Sequence, residues 1–169
     1  MRRASTWCGT VPLLRQAALV RIDSSQVRPL GGSMAHFVAY HNEDRMGYSA
    51  EESDPYSLYT SKNPTRLHSH GPHVIWVIAG RGHKPMSYYL STCFIVTAII
   101  PADHPDFGYT ISGTGGGRFE PMPRLDQLTW FPEFRRRMAN FSIGLTEICN
   151  EEIIEEFQRF AAHAGHVLG

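Results

Sequence analysis

The chain has 169 residues, 42% of them apolar, which is the size and content of one folded domain. Sixteen Lys and Arg balance sixteen Asp and Glu, yet five Arg and one Asp fall in residues 1–33, leaving eleven basic against fifteen acidic residues from Met34 onward. A net-acidic domain excludes bulk electrostatic capture of a phosphate backbone, so any nucleic-acid role must rest on a local basic face and a specific pocket.

The other compositional signals narrow the setting. Cys8, Cys93 and Cys149 are odd in number and widely spaced, which is neither a disulfide framework nor a zinc pattern. The longest apolar run, Cys93 to Pro101, falls well short of the roughly 20 residues a spanning helix needs. A reducing, cytoplasmic protein with no membrane association is expected. Residues 1–33 are Arg-rich and acid-poor, and Arg15 and Arg21 interrupt what would be the apolar centre of a secretory signal. They read as a disordered or non-native extension, with the domain over 34–163 and a tail over 164–169.

In chain order, His36-Phe-Val-Ala-Tyr40 predicts a first strand, closed by the polar turn His41-Asn-Glu-Asp44. Residues 43–56 are polar and carry Pro55, which suits a loop or short helix. Tyr56-Ser-Leu-Tyr-Thr60 alternates as an edge strand does, and Asn63-Pro64 with Gly71-Pro72 bracket a loop holding His68, His70 and His73. Val74-Ile-Trp-Val-Ile78 is a continuous apolar run stopped by Gly80 and Gly82, the pattern of a central strand buried on both faces.

Beyond it, Lys84 to Gly108 predicts a hairpin of Tyr88–Leu90 with Phe94–Ile100, stopped by Pro101 and Pro105, and Tyr109–Ser112 predicts one more strand. Gly113-Thr-Gly-Gly-Gly117 reads as a flexible loop or lid. Leu125–Leu128 predicts a short helix, Trp130–Phe134 an aromatic linker and Asn140–Ile148 an alternating strand. Asn150 then caps a helix whose Ile153, Ile154, Phe157 and Phe160 share one face. Five or six short strands followed by helical material is the arithmetic of a small closed barrel, so the expected fold class is α+β.

Three segments resemble the PUA-like superfamily, and within it the EVE domains related to YTH and ASCH domains: Phe37 to Asn42 as the opening strand, Gly71 to Asp106 with its His104-Pro-Asp106 end, and Asn140-Phe-Ser-Ile143 followed by Asn150-Glu-Glu-Ile153. The resemblance implies a PUA-like β-barrel of five to six strands with flanking helices. It also implies a non-catalytic domain, without cofactor, that holds a modified or flipped base of DNA or RNA, alone or beside an effector such as a nuclease. Such a pocket needs aromatic walls and a few fixed groups for the base edge. Trp76, Trp130 and Phe131 are the candidate walls; His41, Asn42, Ser61, Asn63, Asn140 and Ser142 could read the edge; Lys62, Arg66, Arg118, Arg135, Arg136 and Arg137 could meet phosphates.

Rival readings attach to the same chain. His68, His70 and His73 could hold zinc or nickel and a catalytic water, as in a small metal-dependent hydrolase, although no carboxylate stands near them in sequence. The glycine run ending at Arg118 lacks the Lys-Ser/Thr of a phosphate loop. A Trp inside an apolar strand is ordinarily core, and a triple Arg is ordinarily a solvated helix face. An aromatic surface that meets a partner protein is the third reading.

Overall fold

The computed structural model describes residues 34–68, 72–142 and 144–168, the side chain of His68 excepted. In order come β1 (Ala35–His41), α1 (Glu43–Met46), β2 (Ser57–Thr60), a 3-10 turn (Thr65–His68), β3 (His73–Arg81), β4 (Ser87–His104) and β5 (Phe107–Arg118). These are followed by α2 (Phe131–Arg137), a second 3-10 turn (Ala139–Phe141), β6 (Thr146–Glu147) and α3 (Glu151–His163). The strands form one curled, half-barrel sheet in the order β2-β5-β4-β3-β1-β6, and with three helices the fold class is α+β. β1 and β3 run parallel, joined by a crossover that carries α1 and β2, and the other pairings are antiparallel.

β3 is central, as its unbroken apolar run demands, with eight of its nine residues buried. Its side chains divide between two cores. Val74, Trp76 and Ile78 join Val38, Leu90, Phe134 and Phe157 under α2 and α3, while Ile75 and Val77 join Phe37, Phe94, Ile99 and Ile111 on the other face, closed by Leu67. Among the described residues β2 is an edge strand, paired with β5. α3 is capped as its sequence predicts, with the Asn150 side chain accepting from Ile153 N at 3.2 Å.

Four local expectations are overturned. The span read as a hairpin is one strand, β4, of 18 residues; the reversal falls at His104–Phe107, and Pro101 sits inside the ladder opposite Tyr109. The glycine run is no loop but the second half of β5. β4 and β5 there approach across bulges so closely that a Cβ at Gly116, whose φ is 73°, would stand 2.3 Å from Cys93 O. Leu125–Leu128 forms a turn whose backbone bonds to β4 through Leu125 N and Tyr88 O at 2.8 Å. The helix lies instead over the aromatic linker, which has Pro132 in its first turn.

The fourth concerns Asn140-Phe-Ser, expected as a closing strand. It is a tight turn with positive φ at Ala139, Asn140 and Phe141. Burial drives it: Phe141, 7% exposed, turns inward to stack on Tyr40 at 5.4 Å. Only Thr146–Glu147 remain to pair with β1. Among the described residues no helix is long and apolar enough to cross a membrane.

Candidate functional site

Among the described residues, two depressions of different chemistry stand out. The first lies beside α1, lined by the end of β1, by β2 and by single mid-strand residues of β3 and β4. Tyr40, His41, Tyr48, Tyr59, Ser57 and Thr92 line it, over an apolar base of Ala39, Leu58 and Val77. The second is a groove between α2 and α3, edged by Trp130, Glu133, Arg137, Glu147, Glu151 and Glu152.

The first cleft is assembled by local rules. Asn42 caps α1 by accepting from Arg45 N at 3.3 Å, and Gly47, in the left-handed region at φ 76°, turns the chain back so that Tyr48 reaches β1. His41 Nε2 and Tyr48 O are 3.0 Å apart, and the two rings lie 5.3 Å apart. Tyr59 comes from the alternation of β2 and also stacks on Phe107 at 5.7 Å. Tyr40 reaches Met86 Sδ with its hydroxyl at 3.3 Å, passing close over Gly80, where a Cβ would stand 2.1 Å from that hydroxyl and push the Tyr40 and Met86 side chains aside.

The walls of the cleft carry no Asp, Glu, Lys or Arg side chain, and Glu43 and Asp44 stand beside it. Burial, followed by the Tyr88 phenol and the Glu43 and Asp44 carboxylates, pushes the Tyr40 phenol up to about 12. Burial and the adjacent Tyr59 phenol likewise raise Tyr48. Tyr48 therefore keeps its O–H at neutral pH and can donate and accept, whereas the Tyr40 hydroxyl is directed to Met86 on the helix-covered face. The space is small, roughly 40 Å³, about the share of one or two waters.

The residues expected to form a site scatter between these places. His41 lies in the cleft and Asn42 at its edge as the α1 cap. Ser61, Lys62 and Asn63 are exposed where β2 ends, with Lys62 beside Gly144. Asn140 and Ser142 are exposed in the turn after α2, and Ser142 Oγ donates to Ala139 O at 2.7 Å. Arg66 is exposed on the first 3-10 turn.

Others are occupied elsewhere. Trp76 has no exposed surface; its indole N–H donates to His36 Nδ1 at 3.0 Å and its ring meets Phe157, so it has no free face to stack on a base. Phe131 is 2% exposed under α2, and Trp130 edges the acidic groove. Arg118 donates both terminal nitrogens to the carbonyls of Ala50 and Ser53, which fixes the 48–54 segment rather than a phosphate. The Arg135 guanidinium lies over Tyr88, 5.3 Å from the ring centre, while Arg136 and Arg137 pair with Glu133, with the Arg137 contact at 2.9 Å. Hydrogen bonds from Arg137 and Arg136 hold the Glu133 carboxyl below its usual range.

Of the three histidines of the rival metal site, His70 and the side chain of His68 lie outside the described residues, and His73 is buried edge-on to Phe37 at 5.5 Å. Among the described residues no group of three His, Cys, Asp or Glu side chains could hold a metal ion. Tyr48, Ser57, Tyr59 and Thr92 are the cleft residues that sequence reasoning missed. They come from three different segments, and only the aromatic-polar alternation of 56–60 hinted at them.

No protein-family model matches this chain, and no curated protein matches its sequence. Its surface chemistry is therefore what argues for a function.

Proposed function

We propose that the domain is a non-catalytic nucleic-acid-binding module of PUA-like type, which holds an unpaired or modified base of DNA or RNA in the cleft between β1, β2 and α1. One observation carries the reading: Tyr48, Tyr59, Ser57 and Thr92 line one cleft whose walls carry no Asp, Glu, Lys or Arg side chain. Aromatic faces supply stacking of about 1–3 kcal/mol per base, and the Ser57 and Thr92 hydroxyls with His41 supply polar groups for a base edge. The exposed cations on neighbouring elements, Arg45 on α1 with its guanidinium over Phe107 and Lys62 after β2, suit one or two phosphates and no more.

The narrow space adds a requirement. A base can enter only if the 46–53 segment yields, and Met46, unbranched and adaptable, is the side chain best suited to move. Fluorescence anisotropy with short DNA and RNA oligonucleotides carrying plain, methylated and hydroxymethylated bases tests the proposal, at two salt concentrations and with chelator. It predicts preference for one base type, unchanged by chelator. Absence of binding at either salt concentration would refute it.

A further inference from the structure

The groove between α2 and α3 has no part in that reading, and its surroundings point to an occupant within the chain itself. It encloses about 660 Å³, within the 300–1,000 Å³ of typical ligand clefts. Phe134 and Ile153 give it an apolar floor, Trp130 an aromatic edge, and Glu147, Glu151 and Glu152 its charge. Glu133 is already paired with Arg136 and Arg137, whereas those three glutamates make no ion pair among the described residues.

The start of the described chain lies at this groove. Phe37 pairs with Glu147 and Val38 with Thr146 in antiparallel register, and Ile148 N donates to His36 O at 2.7 Å. Continuing that register brings Met34 level with Asn150, on the groove's edge. Residues 1–33 precede Met34 in the chain, and they carry Arg2, Arg3, Arg15, Arg21 and Arg28 against Asp23 alone. Arg28 is six residues from Met34, within about 20 Å of extended chain. A guanidinium suits this place doubly, since it forms forked bonds with carboxylates and lies flat on an indole face.

We propose that the acidic groove is the docking site for the arginine-bearing segment 1–33 of the same chain. Arg21 and Arg28 are the anchors, meeting Glu147, Glu151, Glu152 and the Trp130 ring. Because the segment is tethered at the groove's edge, docking is intramolecular and independent of protein concentration.

Limited trypsin digestion of the full chain tests this, with cleavage after Arg15 and Arg21 followed by mass spectrometry and normalised to a free peptide spanning 14–29. Docking predicts at least tenfold slower cleavage at low salt. The protection should vanish in about 1 M salt, where the screening length falls to about 3 Å, and in a Glu147→Gln/Glu151→Gln/Glu152→Gln variant whose melting curve shows it folded. Should that variant not fold, the salt series on the native chain decides alone. Unprotected cleavage at low salt would overturn the proposal, as would protection that survives both treatments. Protection that fades on dilution would assign the groove to a second copy's segment and overturn it equally.

Discussion

The two depressions of this domain invert the usual relation between size and promise. The groove between α2 and α3 is the larger by far, about 660 Å³ against roughly 40 Å³ for the cleft beside α1, yet its charges repel the ligand that the smaller one suits. Carboxylates at the groove oppose a phosphate backbone, while the walls of the cleft carry phenols and hydroxyls, with Glu43 and Asp44 beside it rather than in it. Volume shows where something can bind; the charge and hydrogen-bonding character of the walls decide what.

Breaking the scaffold that both share gives the largest effect. Trp76→Ala empties the centre of the core under α2 and α3 and removes the donor to His36. A loss of about 3–5 kcal/mol in unfolding free energy is expected, read by urea denaturation. A variant near native stability would mean that Trp76 is not the core residue described here.

The next effect separates the two sites. Tyr59→Ala should weaken binding of the preferred oligonucleotide by about 5- to 150-fold, the equivalent of one stacked base. Trp130→Ala, at the groove, should leave that affinity within about twofold. Anisotropy titrations of both variants read the difference, and a reversed order would move the base site to the groove.

A smaller effect depends on pH. Burial lowers the pKa of His36, whose Nδ1 must be unprotonated to accept from Trp76. The folded state therefore binds this proton less readily than the unfolded state, whose value is 6.5. The stability contributed is complete above 6.5 and is lost as pH falls below it toward the lowered folded value. Thermal melting should show a decline between about pH 7 and pH 5 that is reduced in His36→Gln, and an equal decline in both would assign it to other groups.

The smallest effect is expected at the triple arginine. Arg136→Ala should shift stability and oligonucleotide affinity by less than about 1 kcal/mol, since its exposed pair with Glu133 contributes little. A tenfold loss of affinity would restore it as a phosphate contact.

How far the sequence reveals this molecule depends on which forces act locally. The run Val74–Ile78 is legible as a central strand because burial on both faces leaves no polar position in it, and Asn150 is legible as a cap because its partner, Ile153 N, lies three residues away. The glycine run and Pro101 mislead because both are punctuation in isolation. In the fold, Gly116 is required by the Cys93 carbonyl opposite, and Pro101 is carried by the long pairing of β4 with β5. Asn140–Ser142 misleads for the same reason: its backbone follows from where Phe141 is buried rather than from its own alternation.

The site follows this division. His41 and Asn42 are legible as polar groups at a strand end. Tyr48, Thr92 and the Ser57/Tyr59 pair join them only through tertiary folding, and apart from the two-residue spacing of that pair on β2 no pattern along the chain unites them. The arginines mislead because sequence gives their charge but not the carbonyls of Ala50 and Ser53, the Tyr88 ring or the Glu133 carboxylate that occupy them.

The most direct test of the central claim is amide chemical-shift mapping of the labelled full chain during titration with the preferred oligonucleotide. The account predicts that the largest changes cluster at His41, Tyr48, Ser57, Tyr59 and Thr92, with Glu147 to Ile153 nearly unmoved. Changes centred on the groove between α2 and α3, or none at any site, would contradict it.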